Sequence, residues 1–174
     1  MTEYPKRGRM LPQAGGAFAA DNAVLTGEVN LGPDANIWFG CVLRGDDAPI
    51  TIGARTNIQD LSMVHADPGV PNVIGAGVTV GHRCILHGAE VGDNCLIGMG
   101  AILLAGSKIG AGSIIGAGTV VKEGFVVPPR SLVVGIPGRV IREVSDEQYQ
   151  GILDSVAGYV CAAHEYSPEG SSKD

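Results

Sequence analysis

The sequence predicts an all-β chain, a parallel β-helix built of hexapeptide repeats, with a single α-helix at its C-terminal end. Three observations predict this fold. An aliphatic residue recurs at every sixth position, the 27 glycines contrast with only 5% aromatic residues, and a helix start signal occurs only after the repeat has ended. A period of six fits neither a helix nor a single alternating strand. It is typical of a chain that makes a short strand, turns and repeats.

The repeat consists of five groups of three aliphatic residues, spaced six apart within each group. Its members are Leu31, Ile37, Leu43, Ile52, Ile58, Val64, Ile74, Val80, Leu86, Val91, Ile97, Leu103, Ile109, Ile115 and Val121. Three hexapeptides close one triangular coil, and the stacked coils bury a continuous aliphatic column that needs no aromatic core. The pattern resembles the left-handed β-helix superfamily over about residues 20 to 140. The left-handedness follows from that resemblance alone, since ordinary β-crossovers are right-handed.

Insertions and a deletion interrupt the period beside polar residues. Residues 45–49 and 66–72 are expected to leave the prism as loops, and the step after His87 is one residue short. Irregularities of this kind concentrate where a fold places its function.

A helix is expected after the repeat. Ser145 and Gln148 form a capping-box signature. The apolar residues that follow mostly helical spacing are Ile141, Val144, Ile152, Val156 and Tyr159. We therefore expect residues 1–140 to form the β-helix, residues 141–167 a helix packed on one prism face, and residues 168–174 a frayed tail.

Charge and cysteine content limit the partners and the compartment. A net charge of −6 argues against nucleic acid or an anionic membrane as a partner, because both attract basic surfaces. The four cysteines, Cys41, Cys84, Cys95 and Cys161, lie far apart and form no C-x-x-C pair. In a chain with no signal peptide and no long apolar run, they indicate reduced thiols and a cytoplasmic protein.

The repeat assigns three histidines to prism faces. His65 and His87 each follow an inward aliphatic residue on the third hexapeptide of a coil, so they stack on one face, with Arg44 in the same column one coil earlier. Adjacent strands lie about 4.8 Å apart, which allows two imidazoles to bind one ion. His82 falls on the second hexapeptide of its coil, and Asp60 shares that column one coil earlier.

Two ligands on one face and a third around a corner predict a site shared between chains. A threefold axis would bring the face with His82 of one prism against the face with His65 and His87 of the next. Three histidines with an open fourth position match the layout of a catalytic zinc site. A histidine without partners, such as His164 on the terminal helix, is expected to be simply exposed.

The segments around these residues resemble the γ-class carbonic anhydrase family. In order and in register they are Arg44-Gly45-Asp46, Thr56-Asn57-Ile58-Gln59-Asp60, Val64-His65, Gly81-His82, Leu86-His87-Gly88, Ile97-Gly98-Met99-Gly100-Ala101 and Gly135-x-Pro137. The resemblance implies a homotrimer in which His65 and His87 of one subunit and His82 of its neighbour bind a metal. Zn²⁺ is the expected ion, and Fe²⁺ or Co²⁺ are alternatives that imidazole ligands also accept.

The resemblance also implies an activity and roles for the surrounding side chains. The activity is reversible hydration of carbon dioxide to bicarbonate by a metal-bound hydroxide, available because the ion lowers the pKa of bound water from 15.7 to about 7. Gln59 is similar to the family's glutamine that hydrogen-bonds the metal-bound oxygen. Arg44 and Asp60 resemble its ion pair, placed across the subunit interface or serving a purely structural role. Asp46 and Asn57 resemble residues that orient the ligands.

Two features depart from the family pattern. The archetypal archaeal member has a long acidic loop with a glutamate proton shuttle, whereas residues 66–72 form a short segment here, leaving Asp47 or Asp67 as possible substitutes. The family's C-terminal tyrosine is matched by Tyr159, but the asparagine two residues later is Cys161. Both departures concern proton transfer and turnover rather than the metal.

Other functions remain open on the sequence alone. A metal-dependent hydrolase, for example of a CoA thioester, would use the same ligands, and an accessory protein could retain them. A hexapeptide acyltransferase would need only one histidine as a general base. A non-catalytic trimeric scaffold would not need three histidines in metal register.

Overall fold

The computed structural model describes residues 8–168 as a left-handed parallel β-helix of hexapeptide repeats with one C-terminal helix. The first prism face contains seven parallel strands: β2 Phe18–Ala20, β4 Asn36–Ile37, β6 Asn57–Ile58, β9 Thr79–Val80, β12 Leu96–Ile97, β15 Ile114–Ile115 and β18 Ser131–Val134. An antiparallel strand closes each end of this face, β1 Met10–Pro12 against β2 and β19 Arg139–Glu143 against β18. A short 3₁₀ turn, Ala14–Gly16, follows β1.

The other two faces share their first strands. The second face contains β7 Met63–His65, β10 Ile85–His87, β13 Ile102–Leu103 and β16 Val120–Val121. The third contains β8 Asn72–Ile74, β11 Glu90–Val91, β14 Lys108–Ile109 and β17 Val126–Val127. The long strands β3 Val24–Leu31 and β5 Val42–Ile52 run from the second face into the third, because β5 pairs with β7 by its first residues and with β8 by its last.

The predicted inward residues form the core. Fourteen of the fifteen are buried at no more than 3% exposure, and only Leu31, in the first coil, is partly exposed. Val127 and Val133 extend the column by one further coil, and alanine, cysteine and valine at the corners fill the space between the aliphatic layers. The hexapeptide prediction is therefore confirmed, and each inward residue fixes which of its neighbours face outward.

The first of the two expected loops, residues 45–49, is part of a strand. Strand β5 continues through residues 45–49, because Gly27 pairs with Gly45 and Val29 with Ile50. A single residue of β3 thus lies opposite four residues of β5, and the insertion forms a bulge within a bent strand. The second insertion does leave the prism between β7 and β8, although its last residue, Asn72, already belongs to β8.

The helix begins later than the periodicity indicated. Helix α1 spans Asp146–Glu165, and both bonds of the predicted capping box between Ser145 and Gln148 are present. Ile141, expected on the apolar face of the helix, lies in β19 with 55% exposure. This residue belongs instead to the hairpin that closes the prism, in which β19 pairs with β18. The expected tail, residues 168–174, lies outside the described residues except for its first.

Helix α1 connects the last coils to the first. Near its start, the guanidinium of Arg130 lies over the ring of Tyr149, 4.4 Å from its centroid. Near its end, Nε2 of His164 lies 3.1 Å from Oδ1 of Asp34, so the expectation that His164 lacks a partner is wrong. Between these points α1 packs on β4, β6 and β9 of the first face. Among the described residues, no helix is both long and apolar enough to span a membrane.

Three of the four free cysteines belong to the prism interior. Cys41, Cys84 and Cys95 are fully buried, and burial raises the pKa of each thiol to about 11. Cys161 is exposed on α1. The buried thiols therefore remain protonated and act as small apolar side chains.

We expect Gly27→Ala to destabilise the protein. Gly27 has a φ of +75°, and an added Cβ would overlap the backbone of Gly45 in the paired strand. The free energy of unfolding should fall by about 2 kcal/mol, as in other over-packed sites. Gly158→Ala is the control, because Gly158 lies in α1 with open space around it, and alanine should raise stability by up to about 1 kcal/mol. Equal melting temperatures of the two variants, at matched protein concentration, would contradict this account.

Thiol titration should distinguish Cys161 from the other three cysteines. With Ellman's reagent at pH 8 the folded protein should release one equivalent per chain, because only Cys161 is exposed. Denaturation should expose all four. The Cys161→Ser variant should release none while folded, and rapid release of more than one equivalent from the folded wild type would refute the burial of the prism thiols.

Candidate metal centre

The second face brings Arg44, His65 and His87 into one column. Arg44 pairs with His65 between β5 and β7, and His65 pairs with His87 between β7 and β10. The two imidazole centroids are 5.2 Å apart and their planes differ by 31°. His65 is buried, at 7% exposure, whereas the His87 side chain is 31% exposed. The predicted column is confirmed.

Three carboxylates approach the two imidazoles. Nε2 of His65 lies 3.3 Å from Oδ2 of Asp47 and 3.6 Å from Oδ1 of Asp46. Nε2 of His87 lies 3.1 Å from Oδ2 of Asp67, in the insertion that follows β7. The bulge in β5 and the short loop after β7 thus both return acidic side chains to the histidine column.

These side chains form a donor set that suits a divalent cation. His65, Asp67 and His87 place one potential ligand atom each within 4.8 Å of one another, and Asp46, Asp47 and His65 do the same. Imidazole nitrogen and carboxylate oxygen are common ligands of Zn²⁺ and Fe²⁺. The residues present therefore fit a metal of this class.

Arg44 is paired within its own chain. Its Nη1 donates to both carboxylate oxygens of Asp46 at 2.7 Å and lies 3.6 Å from Oδ2 of Asp47. The hydrogen bond to Arg44 holds the pKa of Asp46 below its usual value, and the same bond raises the pKa of Arg44. Among the contacts described within the chain, Arg44 does not meet Asp60, so that pair stays a prediction about two subunits.

His82 lies around a prism corner from the column. Its Nδ1 is 2.8 Å from Oδ2 of Asp60, one coil earlier, and both side chains are partly exposed. A carboxylate at Nδ1 favours the tautomer with the proton on that nitrogen, which leaves Nε2 with a free lone pair. Within residues 8–168, neither group of clustered ligand atoms includes His82.

Gln59 and Asn57 are held in a buried chain of hydrogen bonds on the first face. Nε2 of Gln59 donates to Oδ1 of Asn57 at 3.1 Å, and Nδ2 of Asn57 donates to the hydroxyl of Thr79 at 2.9 Å. Asn57 is fully buried and Gln59 is 6% exposed. The amide group of Gln59 is therefore fixed in orientation, with Asp60 as the next residue along the chain.

Tyr159 reaches the same region from helix α1. Its ring packs edge-on against Trp38, with centroids 5.4 Å apart. Burial first, and the charge of Asp60 second, raise the pKa of its hydroxyl. Tyr159 is thus a neutral hydroxyl group whose pKa responds to the charge of Asp60, the residue that orients His82.

Sequence reasoning missed two buried side chains that form hydrogen bonds. Trp38 is buried on the first face, and its Nε1 donates to Oδ1 of Asn36 at 2.7 Å. Trp38 directly follows the inward Ile37, as Gln59 directly follows the inward Ile58. This shared register could have indicated that Trp38 lies in the same column as Gln59. Asn72, at the end of the second insertion, is fully buried two residues before the inward Ile74, the same spacing as the buried Val78 before Val80, so the register could have indicated its burial.

Two comparisons of sequence identify relatives of the chain. A family model described as bacterial transferase hexapeptide (six repeats) matches residues 88–123. The chain is 50% identical over 144 residues to a carbonic anhydrase of Geobacillus kaustophilus, covering 83% of this chain and 79% of the relative. It is 37% identical over 161 residues to gamma carbonic anhydrase 1 of Arabidopsis thaliana, covering 89% of this chain and 58% of that protein.

A comparison of structures agrees on the fold. A hexapeptide transferase family protein from Anaplasma phagocytophilum superposes with a TM-score of 0.78 at 34% identity, covering 92% of this chain and 99% of the other.

Proposed function

The chain belongs to the γ-class carbonic anhydrase family, and on that premise we propose that it catalyses the reversible hydration of carbon dioxide to bicarbonate. We further propose that a metal ion is bound between subunits of a homotrimer by His65 and His87 of one chain and His82 of the next. Relatives named carbonic anhydrase imply a metal cofactor at the level of the family. Zn²⁺ is the proposed ion, with Fe²⁺ or Co²⁺ as alternatives.

The observation that carries this proposal is the division of the histidines between two faces. His65 and His87 lie side by side, with ring centroids 5.2 Å apart. His82 is fixed by Asp60 on another face, outside the clustered ligand atoms of its own chain. A neighbouring subunit would supply the missing imidazole, and a closed ring of three chains would complete three identical sites.

The reaction converts carbon dioxide and water into bicarbonate and one proton. A divalent ion held by the three imidazoles would supply Lewis acidity, lowering the pKa of water from 15.7 to about 7. The proton released has to leave the site, and Oδ2 of Asp67 and Oδ2 of Asp47 are the carboxylate oxygens nearest to the imidazoles of His87 and His65, at 3.1 and 3.3 Å. We assign them to hold that proton before buffer removes it.

Gln59 is proposed to align the reacting oxygen through its carboxamide. Asn57 fixes that group by accepting from Nε2 at 3.1 Å, and Thr79 fixes Asn57 in turn. A donor or acceptor whose orientation is set before the reaction loses little entropy when it binds the transition state. Asp60 plays the same part for His82, since it fixes which nitrogen is free.

Arg44 and Tyr159 are proposed to complete the site from opposite sides. Arg44 holds Asp46 at 2.7 Å beside His65, and in the assembled ring it would also face Asp60 of the neighbouring subunit. Tyr159 keeps its proton at neutral pH because its pKa is raised, so it can donate a hydrogen bond toward Asp60 or substrate. Cys161 is exposed on the same helix and is given no role.

The compartment and partners follow from the same proposal. All four cysteines are free, which supports a reducing compartment, and we propose the cytoplasm. Carbon dioxide and bicarbonate are the proposed small-molecule partners, and the net charge of −6 gives no support for nucleic acid or an anionic membrane.

Mixing two inactive variants tests the shared site. His65→Ala and His82→Ala homotrimers should each lose metal and carbon dioxide hydration. When they are denatured together and refolded, a site is intact wherever a chain with His65 and His87 meets a neighbour with His82. Random pairing makes this about one interface in four. Metal content and stopped-flow hydration rates should both return to about a quarter of wild type.

The matched control mixes His65→Ala with His87→Ala. Both variants lack a ligand from the same half of the site, so no pairing of their chains restores it. Recovery in this control, or none in the first mixture, would refute the proposed division of ligands between subunits.

Acyl transfer is the second candidate, favoured by the match of residues 88–123 to a transferase repeat model and by the structural similarity to a hexapeptide transferase family protein. A chelator separates the two functions. Carbon dioxide hydration should be lost after metal removal and return when Zn²⁺ is added. Transfer of an acetyl group from acetyl-CoA that persists after chelation would favour the transferase and count against our proposal.

A further inference from the structure

We infer that Asn72 is a positioning residue for the His65–His87 pair and sets the separation of the two strands that carry these imidazoles. The inference rests on the proposed function and goes beyond it, because Asn72 is neither a proposed ligand nor a proposed catalytic group. Asn72 is the first residue of β8 and is fully buried.

A single side-chain nitrogen is hydrogen-bonded to both ligand strands. Nδ2 of Asn72 donates to the carbonyl oxygen of His65 at 3.0 Å and to that of Leu86, the residue before His87, at 2.8 Å. The carbonyl oxygen of His65 also accepts from the backbone N–H of Gly88 at 2.9 Å. The two protons of one amide thus connect the backbone of both strands next to the imidazoles. A change in strand separation would stretch at least one of these bonds.

These bonds lie where the pairing between two coils is interrupted. Strands β7 and β10 pair as far as His65 and His87, and pairing resumes at Val73 and Glu90. Between these paired positions one coil has seven residues and the next has only two. A regular ladder cannot cross a corner at which the coils differ in length. The backbone bond from Gly88 to His65 links the coils on one side of the corner, and the Asn72 side chain adds two further bonds there.

Asn72 holds this position at an energetic cost. Its Oδ1 is buried and has no hydrogen-bond partner among the described residues, which costs about 1–3 kcal/mol. The opposite orientation of the amide would be worse, because it would place Oδ1 against two carbonyl oxygens. A leucine of similar size would fill the space with no buried acceptor. The amide is therefore explained by the two bonds it donates, and both go to the strands that hold the imidazoles.

Asn72→Leu removes both bonds with little change in volume. The full-length protein, stripped of metal and titrated with Co²⁺ alone, should bind the ion about tenfold more weakly than wild type, a typical loss when a group that orients ligands is removed. The visible absorption spectrum of bound Co²⁺ should also change, because it reports ligand geometry. Asn72→Ser keeps one donor and should give an intermediate affinity, and it keeps the test available if the leucine variant does not fold.

Asn36→Leu is the matched control. Asn36 is also fully buried, and its Nδ2 donates to the carbonyl oxygen of Asp34 at 2.9 Å, on the first face. This variant should lower the melting temperature while leaving the Co²⁺ affinity and spectrum as in wild type. Asn72 variants that behave in the same way would overturn the positioning role and leave the proposed function intact. A wild-type protein that binds no Co²⁺ would overturn both.

Discussion

The register between stacked coils is the constraint on which the rest of this structure depends. Inward aliphatic residues fix it, because a slip of one residue would turn an entire strand and expose its buried side chains. The same register decides that His65 lies opposite His87 and that Arg44 lies opposite His65. The same register therefore determines both the packing of the core and the geometry of the site. The chain aligns two imidazoles by burying Val64 and Leu86, the residues that precede them.

The irregular segments add residues to the coils without changing the register between them. The bulge in β5 and the insertion after β7 both leave a paired position and return to the next one in register. Each brings acidic side chains back over the imidazoles, Asp46 and Asp47 from the bulge and Asp67 from the insertion. Such excursions can vary in length with little effect on the column beneath them, since loop closure entropy changes only slowly with length. Side chains that tune a site can thus change independently of the residues that define it.

Features that follow from the six-residue period could be predicted from the sequence. Features that depend on how distant segments of the chain meet in the folded protein could not. The aliphatic core, the histidine column and the capping box of α1 follow from spacing alone. The partner of Arg44 did not, because the path of the β5 bulge determines that Asp46 rather than another acid meets it. Ile141 was assigned to a helix because its spacing is ambiguous between helix and strand, and pairing with β18 decided the outcome. The register makes Asn72 a buried position, two residues before Ile74, but its hydrogen bonds depend on how the chain closes around the insertion.

The charges around His65 and His87 give a reason for a cation to bind where the register brings the imidazoles together. Three carboxylates lie within 3.6 Å of the two Nε2 atoms, and the Arg44 guanidinium is engaged mainly by Asp46. With neutral imidazoles, three negative charges and one positive charge leave a formal net charge of −2 in this cluster. Like charges held this close repel one another even in a medium of high effective dielectric constant. A divalent cation would compensate the charge fully, whereas protonation of one imidazole would compensate half of it and remove a ligand. The electrostatics of a single subunit thus favour a divalent ion on this face. The proposed third imidazole, His82, would come from a neighbouring chain.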